Sequence, residues 1–92
     1  MSPLVAVRCE AAGGSWICAV EVAEQGRSTH HQVTVSAAEL ERYAPGAGDP
    51  TDLVERSFAF LLEREPKESI LGRFAISVIG RYFPDYEGTI RR

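Results

Sequence analysis

The sequence predicts an α+β domain. Residues 1–35 form a three-stranded antiparallel β-meander, residues 36–84 a helical half of three to four helices, and residues 85–92 a tail. Three observations carry that reading. Apolar residues alternate with polar or small ones through the first third, which is the period of half-buried strands. Behind a capping signature at Ser36-Ala37-Ala38-Glu39 the spacing changes to a helical one. The strand registers set by the turns also agree with the hydrophobic parity.

The first strand, Leu4 to Glu10, places Val5, Val7 and Cys9 on one face. Ala11-Ala12-Gly13-Gly14-Ser15 reads as a turn. The second strand, Trp16 to Ala23, aligns Trp16, Cys18, Val20 and Val22; the third, Ser28 to Val35, aligns Thr29, His31, Val33 and Val35. A two-residue loop at Gln25-Gly26 pairs Glu24 with Arg27. Counting back then gives Val22–Thr29, Val20–His31, Cys18–Val33 and Trp16–Val35, each pair joining two inward residues. Three strands with one apolar face need a covering layer, and the helices supply it.

Ser36 and Glu39 form a capping box for a short helix that stops near Tyr43, before Pro45. Gly46-Ala47-Gly48 is a loop. The second helix begins with Asp49 as N-cap and Pro50 at its first position. Its apolar positions, Leu53, Val54, Ser57, Phe58, Phe60, Leu61 and Leu62, span about 200° of the helix surface. One small sheet cannot cover so wide an arc. Its edges, Phe60 and Leu62, point about 160° apart, so one edge needs either the last helix or a second copy of the chain. Pro66 ends or breaks this helix, Lys67 to Leu71 adds one more helical turn stopped by Gly72, and a last short helix runs from about Ile76 to Phe83 before Pro84. The tail is loosely held and pinned by Tyr86 and Ile90.

Composition bounds the function. Ninety-two residues make one domain, and 45% hydrophobic with 25% charged residues is a globular balance. No apolar run exceeds five residues, far below the roughly 20 of a membrane helix. The net charge of −3 argues against nucleic acid as a general partner. The charge is uneven, however: residues 36–66 carry seven acids and three bases, and residues 67–92 three acids and five bases. The N-terminus, Met-Ser-Pro-Leu-Val-Ala-Val-Arg, has neither a basic start nor an apolar h-region. A cytoplasmic protein is therefore expected, with Cys9 and Cys18 as buried, reduced thiols.

The stretch from Ser57 to Leu71, SFAFLLEREPKESIL, is followed by Arg73-Phe74, Ile76-Ser77-Val78-Ile79 and Arg81-Tyr82-Phe83-Pro84. This pattern resembles a group of short uncharacterised bacterial proteins of about this length. The resemblance implies a bacterial cytoplasmic protein and brings no functional residues with it. In that group an acidic or polar cap precedes the last helix, where this chain has Ala75. A second likeness, in fold outline alone, is to small antitoxins with a sheet-then-helix layout.

No constellation points to catalysis. His30 and His31 are adjacent on a strand, point to opposite faces and cannot chelate one ion. Cys9, Cys18 and His31 share the inward face, but three ligands fall short of the four of a structural zinc, so a buried neutral histidine beside two thiols is the expectation. Glu63, Glu65 and Glu68 flank Arg64 and Lys67 and read as solvated ion pairs. No nucleophile elbow, phosphate loop or zinc-protease helix is present. The sequence therefore predicts no catalytic, cofactor-binding or metal-binding residue and no cofactor.

What remains is a small non-enzymatic interaction or regulatory module. Its candidate partner surface is Phe60 with Leu53 and Arg56, together with Arg73 and Arg81, the basic residues suited to an acidic protein. Burying the leftover helix stripe in a two-fold homodimer is the expected remedy for that surface. The alternative is an antitoxin-like, nucleic-acid-linked regulator using the basic C-terminal patch of Arg73, Arg81, Arg91 and Arg92.

Overall fold

Two tight turns set the sheet. In the computed structural model, which describes residues 3–91, Gly13 and Gly14 both take positive φ, as do Gln25 and Gly26. Positive φ at both central residues defines the hairpin turn whose twist matches that of its flanking strands. The turns join β1 (Leu4–Ala12), β2 (Ser15–Glu24) and β3 (Arg27–Ser36). The β2–β3 register runs through Glu24↔Arg27, Val22↔Thr29, Val20↔His31, Cys18↔Val33 and Trp16↔Val35, as the loop length and parity predict. Val20, Val22, Val33, Val35 and Cys18 are buried under the helices, while Ala19, Glu21 and His30 face outward and are exposed.

The first hairpin brings a correction. Its turn sets Ala12 opposite Ser15 and Cys9 opposite Cys18, and the two cysteines form a disulfide rather than standing as reduced thiols. Pairs alternate along an antiparallel ladder between hydrogen-bonded and non-hydrogen-bonded. Ala12↔Ser15 closes the turn, so Cys9↔Cys18 falls on a non-hydrogen-bonded pair. Their Cα atoms lie 4.0 Å apart, in keeping with the closer spacing of that pair type. Disulfides persist in oxidising surroundings, so the pairing counts against the expectation of reduced thiols.

The sheet also has a fourth strand. Residues Arg73–Ala75 form β4, parallel to β3 through Gln32↔Arg73, Val33↔Phe74 and Thr34↔Ala75, and the strand order is β1-β2-β3-β4. The Gln32 amide donates to the Gly72 carbonyl at 2.8 Å, and the Ile76 amide to the Thr34 carbonyl at 3.0 Å, extending the ladder at both ends. A three-residue strand with one inward side chain, Phe74, offers no alternation to read, which is why the sequence pattern shows three strands.

Helix α1 (Ala37–Tyr43) starts as expected. The Glu39 amide donates to Ser36 Oγ at 3.0 Å, and the Ser36 amide to Glu39 Oε1 at 2.8 Å, completing the capping box. Helix α2 (Thr51–Leu62) begins one residue later than predicted, with Pro50 at the cap position. Asp49 still serves the start, its Oδ1 accepting from the Thr51 amide at 2.8 Å. Hydrogen bonds from the Thr51 hydroxyl and then its amide hold the Asp49 carboxyl below the usual carboxylate range. A 3-10 turn, Lys67–Ser69, follows. The predicted last helix is shorter, α3 (Val78–Tyr82), with Ile76 held by its bond to the Thr34 carbonyl of β3. The tail is no loose end: Tyr86–Ile90 form α4, whose Tyr86 and Ile90 are buried.

These closing elements solve the problem of the wide stripe on α2. Its sheet-facing side sets Phe58 against the rings of His31 at 5.3 Å and Phe74 at 6.2 Å. Its other side sets Phe60 edge-on to Phe83 and Tyr86, with the Arg64 guanidinium 3.5 Å above the ring centroid. Each large side chain buried this way contributes about 1.5–3 kcal/mol. Polar groups inside are satisfied. The Ser57 hydroxyl donates to the Leu53 carbonyl at 2.7 Å, and so accepts from the Tyr86 hydroxyl at 2.6 Å. Burial pushes the Tyr86 hydroxyl pKa up, beyond any physiological titration. Among the described residues no buried side-chain polar atom lacks a partner, and no helix is long and apolar enough to cross a membrane.

Candidate interaction surface

The five residues expected to form a partner surface are not brought together. Leu53 and Phe60 are 1% and 4% exposed, so the stripe edge they represent is core. The cover they needed comes from Phe83 and Tyr86 of the same chain, which removes the stripe as a reason for a dimer. Arg56 is engaged internally: its Nε donates to Asp52 Oδ2 at 2.8 Å, and a terminal nitrogen donates to the Ile90 carbonyl, tying α4 to α2. Only Arg73 and Arg81 remain exposed, and neither makes an ion pair among the described residues.

Several other basic side chains are engaged within the fold. Arg42 bonds Glu87 at 2.6 Å and holds that carboxyl below its usual range, and Arg91 approaches the same carboxylate at 3.5 Å. Arg64 reaches Asp85 at 3.0 Å. Lys67, nearly buried, lies 2.9 Å from Glu68 and 3.9 Å from Glu24. Arg92 lies outside the described residues. A duplex-binding face needs several free cations along one track; of the C-terminal candidates Arg91 is paired with Glu87, while Arg73 and Arg81 make no ion pair among the described residues.

A different feature stands out between α2, β4 and α3. A groove of about 210 Å³ has Leu61, Phe74 and Ile79 as its buried floor and Leu71, Val78 and Tyr82 at its rim. Leu71 is 47% and Tyr82 66% exposed, two of the four large apolar side chains that remain open to solvent among the described residues. Glu65 is the one charged residue in the lining. Arg81 immediately precedes Tyr82 on α3. Arg73 precedes Phe74 on β4, where strand alternation turns it to the sheet's outer face. The volume falls below the 300–1,000 Å³ of small-molecule sites and matches one or two inserted side chains.

The buried histidine positions the rim of this groove. Leu71 carries a carbonyl that can only accept, so His31 Nδ1–H donates to it at 2.8 Å, and Nε2 is hydrogen-bonded to the Thr29 hydroxyl at 2.8 Å. His31 thus faces the core, as its strand position predicts. His30, on the opposite face, lies 3.7 Å from Glu21. With Cys9 and Cys18 joined to each other, the inward face presents no free thiolate beside the imidazole.

The groove was within reach of sequence reasoning. Ile70-Leu71 and Tyr82-Phe83 are adjacent apolar pairs, and two neighbours cannot both point inward; the outward members, Leu71 and Tyr82, form the rim. No family model matches the chain, and no curated protein or solved structure matches it.

Proposed function

We propose that the protein is a small non-enzymatic interaction module whose groove between α2, β4 and α3 takes an acidic protein segment carrying an apolar anchor. The observation that carries this reading is the exposure of Tyr82 and Leu71 beside an open groove, with Arg81 next to Tyr82 unpaired. An exposed aromatic beside an apolar recess and a free guanidinium is the composition of an interface hot spot. Arg81, and Arg73 at the neighbouring sheet edge, supply attraction for a negatively charged partner. The lining is apolar apart from Glu65, Ser69 and the Tyr82 hydroxyl, which suits the packing of a side chain more than chemistry on a substrate.

Selection of a random peptide display library on the native protein tests this. Selected sequences should share an apolar residue flanked by Asp or Glu. A synthetic peptide of that consensus should move the amide resonances of Leu71, Val78 and Tyr82. Tyr82→Ser and Arg81→Glu change exposed side chains, so both variants should stay folded and bind that peptide about tenfold or more weakly. Peptides without acidic preference, or shifts confined to other parts of the fold, would overturn the reading.

A further inference from the structure

We infer that the free edge of β1 is the contact surface for a second copy of the chain, paired antiparallel about a two-fold axis through Cys9. β1 is the outermost strand on its side of the sheet, nine residues long. None of its residues makes a backbone hydrogen bond outside the β1–β2 ladder among the described residues. Because Cys9↔Cys18 is a non-hydrogen-bonded pair, the N–H and C=O groups of Val5, Val7, Cys9 and Ala11 point away from β2, towards the open edge. A long edge of this kind is a template for another strand. The core-facing side is also left unfinished. Val5, Val7 and Cys9 are only partly buried, whereas Val22, Val20 and Cys18 opposite them on β2 are buried.

The charge pattern selects the occupant and the register. Arg8 and Glu10 both project from the exposed outer face of β1. In antiparallel self-pairing centred on Cys9, Arg8 of each chain lies opposite Glu10 of the other, giving two symmetric cross-strand charge pairs. Ala6 then faces Ala12, and Val7 faces Ala11. Centring on Arg8 would set arginine against arginine, and centring on Glu10 glutamate against glutamate. Centring on Val7 would set Arg8 against Ala6. Cys9 is the centre that matches every charge, and its outward N–H and C=O are placed to exchange both hydrogen bonds with the symmetry mate. The result is one continuous sheet of eight strands, with all helices on the same face. This surface lies at the opposite edge of the sheet from β4 and the groove, so it stands independently of the docking proposal.

Sedimentation equilibrium of the full chain at micromolar concentration provides the test. The native protein should show the mass of two chains. Arg8→Glu and Glu10→Arg each place like charges opposite one another, and each should raise the dimer dissociation constant about tenfold or more. Both positions are solvent-facing, and circular dichroism should confirm that both variants are folded. Mixing the two variants restores both pairs in a heterodimer and should return the two-chain mass, as should the double variant Arg8→Glu/Glu10→Arg. A native protein that stays at the mass of one chain, including one whose edge serves another partner, would overturn the inference. So would single variants that remain dimeric, or a mixture and a double variant that both stay monomeric.

Discussion

Phe60→Ser is expected to unfold the protein or bring it close to unfolding. The ring is 4% exposed, edge-on to Phe83 at 5.9 Å and Tyr86 at 5.3 Å, and lies beneath the Arg64 guanidinium. Removing a buried phenylalanine costs about 3–5 kcal/mol through lost transfer energy and the cavity left behind. Serine recovers none of that volume. The loss also releases α4, since Tyr86 packs on Phe60 and holds Ser57. A 92-residue domain has a total stability of roughly 5–14 kcal/mol, so this one change removes a large share of it. Urea denaturation followed by circular dichroism measures the effect. A loss below about 1 kcal/mol would put Phe60 back on the surface and contradict the closure of α2 by the C-terminal segment.

Phe58→Ala is expected to cost a similar ~3–5 kcal/mol, on the opposite side of the same helix. Phe58 is fully buried, and its ring meets both His31 and Phe74. It therefore joins β3 to β4 through side chains as well as supporting α2. A cavity there frees the His31 imidazole, which holds the Leu71 carbonyl, so the groove rim should loosen along with the core. Denaturation again gives the magnitude. In the folded fraction, faster exchange of the Gln32 amide, which donates to Gly72 beside Leu71, would report the loosened rim.

What the sequence made legible follows from how local each signal is. The Gln25-Gly26 loop fixes all of the β2–β3 register, because a two-residue turn leaves no freedom once parity is matched. The capping box at Ser36 and Glu39 is equally local. The Gly13-Gly14 turn carries the same arithmetic and sets Cys9 against Cys18, yet reasoning from compartment to thiol state leads away from the disulfide. Long-range features are harder to read. β4 pairs with a strand some 40 residues earlier, and Phe74 is its only inward side chain. Helices α3 and α4 have five residues each, too few for a periodic signal and too short to stand without tertiary contacts. The breadth of the α2 stripe did reveal that a second cover was needed. Its source, Phe83 and Tyr86, came from segments whose own patterns were weak. The expected partner surface at Leu53 and Phe60 was thus misplaced, while Arg73 and Arg81 lie on the exposed surface.

The groove exists only if residues 72–76 lie parallel beside β3, so amide hydrogen exchange at Gln32 and Ile76 is the decisive measurement. The Gln32 amide is bonded to the Gly72 carbonyl at 2.8 Å and the Ile76 amide to the Thr34 carbonyl at 3.0 Å. Both bonds belong to the parallel pairing and to no hairpin. Both amides are expected to exchange slowly, alongside the amides shared between β2 and β3. If both exchange as fast as the amides of the Gly46–Gly48 loop while β2 and β3 stay protected, the fourth strand is absent in solution and the groove with it.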